Sequence, residues 1–182
     1  MDFLPTAIPG CFEIKPRVQE DERGLFVKTF HADAFRERGL AYSFAEEYYS
    51  VSHQRVLRGF HFHLPPHNHA KLVYCLAGEV LDAVVDLRRG SSTFGQYELF
   101  ELTAKKKNIL YIPSGLAHGF YVQSGDALMI YKTTTLYSPE HDAGIRWDSV
   151  GINWPDKSPI VSERDQKFVR LAEFESPFSF AP

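Results

Sequence analysis

The stretch Lys71 to Leu87 reads KLVYCLAGEVLDAVVDL. It is rich in β-branched residues and punctuated by Gly78, so it reads as short strands. Side chains two apart on a strand share a face. His69, Lys71, Val73 and Cys75 then point one way, and Asp82, Val84 and Asp86 share a face further on. Outward from this stretch, FGQYELFEL (94–102), NILYIPSG (108–115), HGFYVQSG (118–125) and ALMIYKTTTLY (127–137) have the same make-up. Each is bounded by Gly, Pro, Asn or Asp, and the chain's fifteen Phe and nine Tyr favour strands. Upstream, GFHFH (59–63) places His61 and His63 on one face and Phe60 and Phe62 on the other. Two segments read as helices: ADAFRERGL (32–40) and SERDQKFVRLAEF (162–174), the second with Ser162 and Asp165 at N-cap spacing. Many short strands without intervening helices predict an all-β fold. The expectation is an antiparallel jelly-roll β-barrel or sandwich with a few short peripheral helices, its mouth serving as a binding cavity.

With 182 residues, 44% hydrophobic and 24% charged, the chain suits a single domain over 1–182 with one sizeable core. The opening MDFLPTAIPG has no basic segment and no long apolar run, so neither a signal peptide nor a membrane span is expected. Cys11 and Cys75 lack CxxC spacing, which suits a reducing cytoplasm and argues against a thiolate metal site. A formal net charge of -3 gives no bulk attraction to nucleic acid. An anionic ligand therefore needs a local arginine site.

Four of the eight histidines crowd into RGFHFHLPPHNHAKLVYCLAGE (58–79), at His61, His63, His67 and His69. Such a cluster suggests either a metal or acid–base chemistry by imidazole alone. A histidine on a strand is also commonly a hydrogen-bonded core residue, so spacing alone leaves the choice open.

Several ordered segments narrow it: DERGLF (21–26), GEVLDAVVDLRRGSSTFGQYELFEL (78–102), YIPSGLAHGF (111–120), YKTTTLYSPEHDAGIRWD (131–148) and SPIVSERD (158–165). Together they resemble the dTDP-4-dehydrorhamnose 3,5-epimerase family of the cupin superfamily. The resemblance implies a cupin-type jelly-roll homodimer that uses no metal and no other cofactor. Its substrate would be a nucleotide-linked 4-keto-6-deoxysugar, inverted at C3, C5 or both, beside the ketone. PSGLAH (113–118) is similar to a cupin motif whose histidine binds metal in metallocupins. The glutamate ligand of the companion motif would stand seven residues before Gly78, where this chain has Lys71. An ammonium repels a divalent ion and offers no lone pair. A metal-dependent oxygenase or isomerase using His63, His69 and His118 stays as an alternative, and a non-catalytic sugar-nucleotide binder is a third class.

The family match assigns roles that the chemistry requires. Removing a hydrogen beside a carbonyl needs a base, an electrophile for the developing enolate oxygen, and an acid. By resemblance His61 is the base, Asp165 its partner, Lys71 the enolate stabiliser, and Tyr131 the acid on the opposite face. Asp82 and His118 match supporting polar positions, and Arg23 and Arg58 match arginines near the diphosphate. Three residues depart from the family pattern where the nucleotide base should lie: Lys28 for glutamate, Glu46 for glutamine and Tyr48 for asparagine. That exchange alters the donor and acceptor pattern, so a CDP-linked sugar is the alternative to a dTDP-linked one. A Lys28–Glu46 ion pair beside an unchanged thymine site would explain the same residues.

Overall fold

A computed structural model describes residues 1–181. Gly78 (φ +83°) divides the opening stretch as its composition predicts. The strands on either side of it enter different sheets. A side chain at Gly78 would drive a Cβ to 2.1 Å from the Asp126 carbonyl oxygen, so the turn requires glycine. The first sheet runs β1 (Asp2–Pro5), β2 (Phe12–Lys15), β10 (Ile109–Ile112), β7 (Lys71–Ala77), β12 (Asp126–Thr133), β5 (Glu46–His53). The second runs β13 (Asp142–Gly144), β6 (Leu57–His63), β11 (Leu116–Val122), β8 (Glu79–Asp86), β9 (Tyr97–Thr103). A separate hairpin, β3 (Val18–Asp21) with β4 (Gly24–Val27), stands apart from both, and all these pairings are antiparallel.

The all-β reading with short peripheral helices holds, but the closed jelly-roll barrel does not. The sheets are open: β1 and β5 end one, β13 and β9 end the other, and neither pair of edges is joined across the layers. Period-two alternation specifies which face of a strand is buried; it says nothing about whether edge strands bond to one another. The two layers are held by side chains instead. Val73, Leu110 and Met129 of the first sheet pack against Val84, Leu102 and Phe120 of the second. At about 25 cal/mol per Å² of apolar surface, each such side chain contributes roughly 1.5–3 kcal/mol.

The outer faces are covered by aromatic residues. Phe35 of helix α1 (Ala32–Arg36) is fully buried against Phe3, Phe30 and Tyr111. On the other side Phe174 and Phe178 pack on Phe62, and Trp154 on Phe60. The C-terminal helix is shorter than its sequence suggests, with α2 spanning only Glu163–Gln166 and a separate 3₁₀ turn at Leu171–Glu173. Between them Val169 bridges to Ile145, which takes the backbone out of the helix. Ser162 caps α2 as its spacing predicts, accepting from the Asp165 N–H at 3.1 Å. Among the described residues no helix is long and apolar enough to cross a membrane.

Candidate active site

Between the sheets lies a cavity of about 330 Å³. The first sheet contributes Lys71, Tyr131, Tyr48 and Glu46; the second contributes His61, Arg58 and His118. Two strands carry its centre. His61 on β6 stands opposite His118 on β11 in the strand register, and Gly144 on β13 pairs with His61 from the other side. A side chain at Gly144 would meet the Phe60 carbonyl oxygen and the Phe168 ring at 2.3 Å, so glycine lets both neighbours close on His61.

His61 Nε2 lies 2.8 Å from Asp165 Oδ1. The carboxylate also accepts the Gly59 N–H at 3.1 Å and is almost wholly buried. The shared hydrogen bond and charge of His61, with the Gly59 N–H, outweigh burial and hold Asp165 down at about 2. Burial moves His61 the other way, below its ordinary value, despite Asp165. A neutral imidazole with Nε2–H aimed at an ionised carboxylate leaves Nδ1 as the basic nitrogen.

Lys71 is 7% exposed, and burial pulls it from 10.5 to about 8. Its ammonium donates to the His61 carbonyl at 3.2 Å. Behind it, Asp82 accepts from His118 Nε2 at 2.7 Å, with both side chains buried. Tyr131, from the opposite sheet to His61, shares its hydroxyl with Ser50 Oγ at 3.1 Å and stacks on Tyr48 with ring centroids 4.8 Å apart. Burial raises Tyr131 well above a normal phenol and Tyr48 to about 12, so both keep their protons.

His61, Asp165, Lys71 and Tyr131 therefore gather around one cavity, with Arg58, Asp82, His118, Glu46 and Tyr48 lining or backing it. Arg58 is tied to Ser52 Oγ at 2.8 Å. Two of the expected residues are not brought there. Arg23 sits in the turn of the β3–β4 hairpin, fully exposed and paired with Asp21 at 2.6 Å. Lys28 lies just beyond that hairpin, beside Arg17 and His31. No Lys28–Glu46 ion pair forms; Glu46 accepts the Tyr137 N–H at 2.7 Å instead. A metal site would need His63, His69 and His118 to converge, and among the described residues no three such donors do.

Other residues in the site were not read from the sequence as functional. Arg164 binds Asp142 at 2.5 Å and Asp165 at 3.2 Å, and its Nη2 reaches within 2.8 Å of His61 Nε2. With the Nε2 proton committed to Asp165, Arg164 has no lone pair to meet there and stands as a cation beside the imidazole. Its only signal was its place before Asp165 in SERD. Tyr137 and Asp142, joined at 3.3 Å, also line the cavity. Asp142 lies in a segment quoted for its resemblance, whereas Tyr137 closes the strand segment ALMIYKTTTLY and falls beyond the end of β12 at Thr133.

An all-β pocket holding a paired histidine–aspartate, a buried lysine and a buried tyrosine has the groups with which an enzyme can take up and give back a proton. A model of the dTDP-4-dehydrorhamnose 3,5-epimerase family matches residues 5–173. The enzyme of that name from Shigella flexneri is 42% identical over 175 residues, covering 93% of this chain and 97% of that protein. A dTDP-6-deoxy-D-glucose-3,5-epimerase from Legionella pneumophila, solved with dTDP-4-keto-L-rhamnose, superposes with a TM-score of 0.94 at 35% identity, covering 100% and 99% of the two chains. NovW, a 4-keto-6-deoxy sugar epimerase from Streptomyces spheroides, gives 0.92 at 38% identity, covering 95% and 88%. The chain belongs to the dTDP-4-dehydrorhamnose 3,5-epimerase family and is an isomerase.

Proposed function

We propose that the protein epimerises a nucleotide-linked 4-keto-6-deoxyhexose at C3, C5 or both, without a cofactor. The observation carrying this reading is the His61–Asp165 pair set across the cavity from Tyr131, with Lys71 beside it. His61 Nδ1 takes the proton from a carbon next to the ketone. The bonding pair moves onto the ketone oxygen, where the Lys71 ammonium offsets the new charge, and Asp165 stabilises the imidazolium. Tyr131, kept protonated by burial, returns a proton from the other face. A base on one sheet and an acid on the other is the arrangement that inversion demands.

Arg58 is the phosphate contact in this reading. Arg23 does not line the cavity of its own chain, so this reading assigns it to the phosphate in the site of another copy. The β3–β4 hairpin leaves Leu25 53% and Phe26 60% exposed, which supports a homodimer in which it packs on the partner. The enzyme would then work in the cytoplasm, with no nucleic-acid or membrane partner.

The named relatives favour dTDP as the nucleotide. Glu46 favours CDP as a second reading, since its carboxylate enters the cavity unpaired with Lys28 and accepts from donors such as the cytosine amine. Deuterium uptake from heavy water, measured on dTDP- and CDP-linked 4-keto-6-deoxyglucose, separates the two. Faster uptake on one names the nucleotide, and the labelled carbon names the centre inverted. No uptake on either would overturn the function.

A further inference from the structure

His69 presents a buried lone pair that no group among the described residues meets. The residue is 8% exposed and lines the cavity. Thr135 Oγ1 donates its proton to the His67 carbonyl at 3.1 Å, so toward His69 Nδ1, at 2.9 Å, it accepts. His69 therefore carries its proton on Nδ1, and Nε2 is a bare acceptor. That Nε2 is buried without a hydrogen-bond partner. The neighbouring His63 ring, 4.6 Å away, is fixed similarly, its Nε2 accepting the Ser138 N–H at 3.4 Å. Burial, and then the Lys71 charge, hold His69 down at about 3, so Nε2 remains an acceptor throughout the working range.

We propose that His69 Nε2 accepts a hydrogen bond from a ring hydroxyl of the sugar, making His69 a residue that selects and orients the substrate. The inference rests on the function proposed above. A ketone oxygen is itself an acceptor, so Nε2 repels it while the Lys71 ammonium attracts it. A hydroxyl has the opposite preference. Lys71 and His69 on one wall thus tell the ketone carbon from its hydroxylated neighbours and fix which way round the ring enters. A buried acceptor left without its donor is costly, so a sugar lacking the hydroxyl is disfavoured.

The test pairs a variant with altered substrates. His69→Phe keeps an aromatic ring and removes the acceptor; His69→Leu serves if the phenyl variant fails to fold. Deuterium uptake beside the ketone is measured on the full dTDP-linked sugar and on its 2-deoxy and 3-deoxy analogues. Wild-type enzyme is expected to lose roughly threefold to tenfold in kcat/KM on one analogue, and His69→Phe about as much on the full sugar. The two losses should not multiply, because both remove one hydrogen bond. The analogue showing this non-additivity identifies the hydroxyl. Losses that multiply for both analogues would overturn the inference while leaving the function intact. Absence of uptake by wild-type enzyme on the full sugar would remove the function, and the inference with it.

Discussion

Replacing Lys71 with Met is expected to give a protein that is more stable and yet far less active. Lys71 is 7% exposed, and its hydrogen bond to the His61 carbonyl at 3.2 Å does not restore what burial takes away. Burial lowers its pKa from 10.5 to about 8. Between those values the unfolded chain holds the proton more tightly than the folded one, so stability rises with pH across that window. Below pH 8 the full penalty applies, and the shift corresponds to roughly 3 kcal/mol. Asp82 offsets part of it, because losing Lys71 leaves that buried carboxylate with His118 alone. A thioether of similar length is then expected to stabilise the fold by about 1–3 kcal/mol at pH 7. The advantage should shrink toward zero near pH 10.5. Urea unfolding of both proteins at pH 7 and pH 10 measures the difference. Activity should fall about 10²–10³-fold, the usual cost of one lost donor to a developing oxyanion. If Lys71→Met were less stable at pH 7 than the wild type, the reasoning about the buried charge would be refuted.

Tyr131→Phe should impair inversion more than exchange, because His61 can still remove a proton and return it to the same face; deuterium in unreacted sugar, set against epimer formed, reports the split, and equal loss of both would place Tyr131 before or during proton removal. Arg164→Met removes a cation 2.8 Å from His61 Nε2, so the His61 pKa should rise and the acid limb of kcat/KM should move to higher pH; an unmoved limb would mean that Arg164 does not act on the base. Gly144→Ala should cost about 1–3 kcal/mol, since its Cβ would fall 2.3 Å from the Phe60 carbonyl oxygen. Thermal unfolding measures that cost, and an unchanged melting temperature would mean that β13 shifts freely.

Alternation and turn residues made the strands legible: GFHFH, KLVYCLAG and EVLDAVVDL fall where their composition places them. Closure was not legible, because hydrogen bonding between edge strands leaves no mark on which face is apolar. The C-terminal helix was overread for a related reason, since Val169 and Phe168 look helical in spacing but are claimed by Ile145 and His61 across the fold. In the site, the position of Lys71 and the motif around His61 pointed to side chains that do line one cavity. Arg23 and Lys28 could not be placed from sequence, because the hairpin beside them is anchored to neither sheet. The tautomer of His69 was out of reach as well, because it is fixed by Thr135, a residue 66 positions away.

The central claim is that His61 removes a proton from carbon beside the ketone. Its most direct test is solvent deuterium uptake into dTDP-4-keto-6-deoxyglucose, measured for the wild type and for folded His61→Asn. Expected is uptake by the wild type and a loss of roughly 10²–10⁴-fold in the variant, the usual contribution of a general base. Near-normal uptake by His61→Asn would contradict the claim and move the base to another histidine of the cavity, with His63 the first to examine.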